Sequence, residues 1–266
     1  MKNKRHQAAL VFMLSVLGCS PTSNAQPAQQ NATGNRPILL ELFTSQGCSS
    51  CPAADKLMAV WKSEFGDRVI PMTFHVNYWN RLGWYDPFSK AKWTERQQAY
   101  NARLGTQGLY TPQMVVDGRY NAVGSRPRAI RTAISAANNG AERHIRLTGE
   151  LIRSSTTLKL TVETTQLQAI PDSATIWYAV RDGHHETRVS AGENRGQILK
   201  NFFVVRKLSP LGRSPTNKKT TVLESQIVID KTWNQDMLDV VVFAQADKTG
   251  SILDVVRIKP LASPRE

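Results

Sequence analysis

The chain has 266 residues, with 34 Lys and Arg against 21 Asp and Glu and three cysteines. That length accommodates two domains of ordinary size, each with its own core. The excess of positive charge suits anionic lipid or cell-envelope polymer, but it is scattered along the chain, which reads as a solvated surface.

In chain order, Lys2, Lys4 and Arg5 make a basic start, and Ala8 to Leu17 is an apolar stretch too short to span a bilayer. This is the pattern of a secretory signal over residues 1–18. Val16-Leu17-Gly18-Cys19 resembles the bacterial lipoprotein cleavage box, in which the cysteine becomes the lipidated first residue. The alternative is cleavage after Ser23-Asn24-Ala25, which discards Cys19. Either way, Cys48 and Cys51 remain as the only free thiols, in a compartment that permits disulfides. The expected location is periplasmic, with a membrane as partner through lipidated Cys19 and no nucleic acid. Residues 19–36, rich in Gln, Asn, Pro and Ala, are expected to form a disordered tether.

Ile38 to Phe43 is an apolar run with the composition of a strand buried on both faces. It turns through Thr44, Ser45, Gln46 and Gly47 into Cys48-Ser49-Ser50-Cys51. The spacing of Ala54, Leu57, Met58 and Trp61 after Pro52 then predicts a helix. A helix start supplies unpaired N–H groups and a positive dipole end, which favour the Cys48 thiolate. Cys48 is therefore the expected nucleophile and Cys51 the resolving thiol. A Cys-x-x-Cys also serves as half a zinc site or as a structural bridge, but no second such pair exists here.

Arg68 to Val76 predicts a second strand, parallel to the first. The aromatic loop Asn77 to Phe88 follows, at the edge where the cysteines lie. It reads either as a wall of the site, with Tyr78 and Trp79, or as a lid packed for stability. His75 reads either as a source of a proton or charge for the sulfurs or as a structural hydrogen-bonding group. Ser89 to Leu104 predicts an amphipathic helix, Leu109 to Tyr120 a hairpin turning at Asp117-Gly118, and Arg126 to Ala137 a last helix.

The order of strand, Cys-x-x-Cys, helix, strand, inserted helix, proline, hairpin and helix resembles the thioredoxin fold. More narrowly, Glu41 to Pro52, His75-Val76-Asn77-Tyr78-Trp79, Tyr110-Thr111-Pro112-Gln113 and Gly192-Glu193-Asn194-Arg195-Gly196 are similar to the signatures of an uncharacterised family of exported thioredoxin-like proteins of unknown function. The resemblance implies a cis Thr111-Pro112 bond facing the cysteines, with Thr111 and Pro112 shaping a substrate groove. It also implies a buried acid on the first strand that relays protons to the resolving thiol, the role expected of Glu41. No cofactor is implied.

From His144 onward, His144–Ile152, Thr156–Thr165, Ala174–Arg181, Phe202–Lys207, Thr220–Ile229, Leu238–Gln245 and Ser251–Ile258 alternate apolar and polar residues without helices. The expected fold is an α/β thioredoxin-like domain with an inserted helical segment, over 37–140. An antiparallel all-β sandwich-like domain over 143–266 should follow it. His184-His185-Glu186 reads as a polar loop rather than a metal cluster, and the loop Ala191 to Gly196 is the expected contact over the cysteines. The leading expectation is an exported thiol–disulfide oxidoreductase acting on a protein or small-molecule thiol or disulfide. A binding module with a permanent bridge, and a copper-handling protein using Cys48, Cys51 and His75, are the alternatives.

Overall fold

The structure, a computed structural model, describes residues 36–140, 143–170, 173–217 and 219–262. The expected signal, Cys19 and all of the expected tether but Arg36 lie outside the described residues. Arg36 itself belongs to the fold, because its guanidinium donates to both carboxylate oxygens of Asp117, at 2.7 and 2.6 Å.

Strand β1 (Ile38–Thr44) leads through the cysteine turn to α1 (Cys51–Phe65) and back to β2 (Val69–His75). A strand–helix–strand crossover makes the two strands parallel, and their register runs from Ile38 opposite Val69 to Thr44 opposite His75. After α2 (Ala91–Leu104), the hairpin of β3 (Gln113–Val116) and β4 (Tyr120–Val123) turns at Asp117 and Gly118, with φ of 58° and 67°. Strand β3 runs antiparallel to β1, and α3 (Pro127–Asn139) closes the unit. Alternation along β1 then decides what each helix covers. Leu40 and Leu42 pack with Met58 and Trp61 of α1 and with Ile130 of α3, whereas Leu39 and Phe43 face Trp93 and Tyr100 of α2.

The second half forms β5 (Ile145–Arg153), β6 (Thr157–Gln166), β7 (Ala174–Arg188), β8 (Ile198–Arg213), β9 (Thr220–Val228), β10 (Asp239–Ala246), β11 (Ile252–Ile258) and the short β12 (Leu261–Ala262). Each of the seven segments expected as strands contributes to one of these. They do not stand apart from the first half. Strand β8 joins the free edge of β2 in parallel at Thr73 and Val204, giving one continuous sheet in the order β11-β10-β7-β8-β2-β1-β3-β4. A lone β2 edge would expose a row of unpaired backbone groups, and β8 covers it. The second sheet, β12-β5-β6-β9, packs across β7, β10 and β11 through Leu147, Leu160, Val162, Ile176, Val242 and Ile258. The sandwich-like packing of the second half is therefore built on a sheet that both halves share.

His184, His185 and Glu186 lie in strand β7, not in a loop, paired opposite Phe202, Asn201 and Lys200. Their polarity is explained by partners: His185 Nε2 lies 2.8 Å from Asp182 Oδ1, and Lys200 Nζ 2.9 Å from Glu186 Oε1. Among the described residues, no helix is long and apolar enough to cross a membrane.

Arg181 on β7 ties the halves together from inside. It is buried, pairs with Asp239 at 2.6 Å and donates to the Pro71 carbonyl of β2. Arg181→Ala removes that donor and one partner of a buried ion pair, so a loss of about 2–4 kcal/mol is expected. Because the sheet is shared, denaturation followed by far-ultraviolet circular dichroism and by tryptophan fluorescence should give coincident transitions in the wild type. Two separated transitions would show that the halves fold independently.

Candidate functional site

Cys48 and Cys51 close a disulfide with Cα atoms 5.4 Å apart, at the junction of the β1 turn and α1. Both are buried, at 1% and 0% exposure, while Ser49 and Ser50 between them are exposed. Pro52 in the first turn of α1 fits because no N–H is needed there. Cys48 Sγ lies 3.3 Å from Ser50 Oγ and 3.9 Å from the Thr111 carbonyl oxygen. The Thr111-Pro112 bond is cis. Trp79 donates its indole N–H to Thr111 Oγ1 at 2.8 Å, and its side chain packs against Gly47, where a Cβ would lie 3.2 Å from Trp79 Cβ. Cys48, Cys51, Thr111, Pro112 and Trp79 are thus brought together. Tyr78, beside them, turns its hydroxyl to Gln97 at 3.3 Å.

Beneath the turn lies a buried polar network. The Gln46 backbone N–H donates to Asp86 Oδ2 at 2.8 Å, and His75 Nδ1 sits 2.7 Å from that same oxygen. The Gln46 side chain donates to Asn201 Oδ1 of β8 at 2.8 Å and accepts from the Trp84 indole at 3.1 Å. Burial alone would discharge His75, but the adjacent Asp86 and Asp55 carboxylates raise its pKa. Asp86 is pushed up by burial, yet the His75 charge and the N–H groups of Gln46 and Phe88 bring it below the usual carboxylate range.

Asp55 behaves differently. It stands one helical turn beyond Cys51 on the buried face of α1, at 2% exposure, with Thr44 Oγ1 donating at 3.1 Å. Burial raises its pKa to about 7, against the opposing charge of His75. Its Oδ1 has no hydrogen-bond partner within the protein. A carboxyl that titrates near neutrality beside a dithiol can accept and return a proton.

Glu41, expected in that role, points the other way. It shares the face of Leu39 and Phe43, where Arg96 of α2 donates to it through Nε at 2.6 Å and Nη2 at 3.0 Å, and Tyr100 donates its hydroxyl. Strand alternation places it across the sheet from α1 and the cysteines, so it is a structural ion-pair partner. His75 lies in the network but meets Asp86, not sulfur. Among the described residues, no group of three or more His, Cys, Asp or Glu side chains is arranged to hold a metal ion.

The second half completes the turn. Asn194, fully buried in the loop between β7 and β8, donates through Nδ2 to the Gln46 and Cys48 carbonyls, both at 2.9 Å. Its neighbour Glu193 accepts the Ser49 backbone N–H at 2.8 Å. Asn194 and Glu193 lie in the loop Ala191 to Gly196 that was expected over the cysteines, whereas Asp55, Asp86 and Asn201 are the residues that sequence reasoning passed over. The readable signal for Asp55 is an acid on the apolar stripe of a helix, four residues after a cysteine.

Fold and site together define an α/β protein with a Cys-x-x-Cys disulfide at a helix start, roofed by a loop from a β-rich second half. The chain belongs to the family described as protein of unknown function (DUF1223), whose pattern matches residues 39–245. It is similar in fold to a protein of Agrobacterium tumefaciens, 22% identical with a TM-score of 0.67, over 88% of this chain and 99% of that one. It is also similar to HBP35 of Porphyromonas gingivalis, 16% identical with a TM-score of 0.64, over 89% of this chain and 80% of that one. No functionally curated protein matches the chain.

Glu41→Gln leaves Arg96 buried without its counter-charge, so a stability loss of about 3 kcal/mol is expected in chemical denaturation. The reduction kinetics of the disulfide should stay at the wild-type rate, because the side chain faces away from the sulfurs. A slowed exchange with unchanged stability would restore Glu41 as the relay.

Proposed function

We propose that the chain is an exported thiol–disulfide oxidoreductase whose first half is a thioredoxin-like unit, held at a membrane by lipidated Cys19. The observation that carries this reading is the Cys48–Cys51 disulfide at a helix start, facing the carbonyl that precedes cis Pro112, with the neutral-range acid Asp55 one turn beyond Cys51.

In the reduced protein, the Cys48 thiolate attacks one sulfur of a substrate disulfide, forms a mixed disulfide and expels the other sulfur as a thiolate. Cys51 then loses its proton to the Asp55 carboxylate and attacks the Cys48 sulfur. The bond between Cys48 and the substrate breaks, the substrate leaves as a thiolate, and Cys48–Cys51 re-forms. Two cysteine thiols are oxidised and one substrate disulfide is reduced; with a substrate dithiol the steps run in reverse. His75, whose charge opposes the burial penalty on Asp55, keeps that carboxylate accessible near neutral pH. Thr111, Pro112, Tyr78 and Trp79 form the wall against which substrate rests.

A second reading is favoured by one observation, the near-complete burial of both sulfurs: a permanent bridge in a binding module. A redox titration against glutathione separates the two. A potential between about −270 and −120 mV is expected, whereas one below about −300 mV would assign the bridge a structural role. In the reduced protein, alkylation at mildly acidic pH should label Cys48 before Cys51.

Asp55→Asn gives a further test with opposite signs for rate and stability. The folded pKa of about 7 lies above the usual carboxylate value of 3.8, so the contribution of Asp55 to wild-type stability is fully present below about pH 4 and is lost as pH rises through 7. The variant escapes that loss and should be more stable at pH 8, by up to a few kcal/mol, because each tenfold change in proton affinity is worth about 1.4 kcal/mol. Its resolution of the mixed disulfide should be slower, and the rise in rate through pH 7 should flatten. A wild-type pH profile retained in Asp55→Asn would remove Asp55 from proton transfer.

A further inference from the structure

The loop between β7 and β8 does more than roof the cysteines. Asn194 anchors it through two buried hydrogen bonds, Gly196 N–H closes it onto the Val189 carbonyl at 2.8 Å, and Gly192, at φ +72°, abuts Trp84, where a Cβ would lie 3.3 Å from Trp84 Cβ. A loop fixed at three points holds the next side chain in place. That side chain is Glu193, whose carboxylate accepts the N–H of Ser49, the residue directly after Cys48.

Burial does not require this contact, since both partners are exposed and water would satisfy the same N–H. What the carboxylate adds is a fixed negative charge beside the nucleophile. The other groups nearest Cys48 Sγ, the Ser50 hydroxyl and the Thr111 carbonyl, carry none. The charged network of Asp55, His75 and Asp86 is buried beneath the turn.

Resting on the oxidoreductase reading above, we propose that Glu193 is a specificity-determining residue: its charge disfavours disulfides that carry anionic groups next to the reacting sulfur and leaves neutral or cationic ones unhindered. An approaching carboxylate meets a like charge whose carboxylate the Ser49 N–H holds and whose backbone the neighbouring Asn194 anchors. The same charge works against the Cys48 thiolate and lowers its reactivity towards every substrate equally. A ratio of rates for two substrates cancels that common effect and isolates selection.

The test compares reduced wild type and Glu193→Gln, which keeps an acceptor for Ser49 N–H while losing the charge. Each is reacted with 5,5′-dithiobis(2-nitrobenzoate), an anionic disulfide, and with cystamine, a cationic one. The ratio of anionic to cationic rate should rise about three- to tenfold in the variant at low ionic strength. At 1 M salt, where the screening length falls to about 3 Å, the two proteins should converge. An unchanged ratio at low salt, or a change that persists at 1 M salt, overturns the proposal. The outcome is separable from the fate of the oxidoreductase reading, because a structural bridge below about −300 mV still yields, once reduced, a Cys48 thiol whose selectivity these probes report.

Discussion

A single buried carboxamide holds the dithiol turn in place. The Asn194 side chain donates to the carbonyls of Gln46 and Cys48, on either side of Gly47, and has no exposure to solvent. A buried carbonyl without a donor costs about 1–3 kcal/mol; the Cys48 carbonyl also accepts the Cys51 N–H at 3.2 Å, so it is the Gln46 carbonyl that relies on Asn194. Ser45 within the turn accepts the Gly47 and Cys48 N–H groups, and other segments meet Gln46: Asp86 and Trp84 from the aromatic loop and Asn201 from β8. The turn that carries the cysteines is therefore not a self-sufficient piece of the first half. Its conformation is specified by side chains more than a hundred residues away, which is why the shared sheet matters: β8 must lie beside β2 for Asn201 and Asn194 to arrive where they do.

The electrostatics beneath the turn follow from unequal hydrogen bonding of similar acids. Asp86 and Asp55 are both buried carboxyls close to the same imidazole. Asp86 accepts from His75 and from the backbone N–H groups of Gln46 and Phe88, and it stays ionised. Asp55 accepts the Thr44 hydroxyl at 3.1 Å and gains only a lesser contribution from Asn201, and for it burial prevails. Two carboxyls whose environments separate their pKa values acquire two roles, one an anchor for His75 and the other a group able to exchange protons near pH 7.

Much of the fold was legible locally. The apolar run of β1, the helical spacing after Pro52, the Asp-Gly hairpin and the alternation in the second half each follow from short-range pattern, although β8 runs Ile198–Arg213 where Phe202–Lys207 was expected. The pairing of β8 with β2 was not legible, because the register rests on Thr73 and Val204 and no local pattern encodes an edge partner that distant. Strand β7 extends past the expected Arg181 for a related reason. Its outer part is polar on both faces, and only cross-strand partners on β8 make it a strand. The cysteines could be read from their motif, whereas the buried acid on the α1 side of the sheet, Asp55, lies on another element than the Glu41 expected there as a proton relay. Glu41 attracted that role because it interrupts an apolar strand, while Asp55 hid among the charged residues that any helix carries.

The two acids show what the surrounding geometry decides and what residue type does not. Both are carboxyls buried next to a cation-bearing side chain, and both interrupt an apolar surface. On one face of β1, Arg96 meets Glu41 with two parallel N–H donors and Tyr100 adds a third, so every demand of the charged form is satisfied and the group is fixed as a strut between α2 and the sheet. On the other face, Asp55 has an imidazole that bonds a different carboxylate and one hydroxyl donor, so its charged form is under-supplied. Three donors converge on Glu41, whereas for Asp55 burial prevails and raises its pKa to about 7. The side of β1 that carries the incompletely satisfied acid is also the side on which α1 brings Cys51 into place, so an under-supplied carboxyl and the buried disulfide share one face of the sheet while the fully paired Glu41 occupies the other.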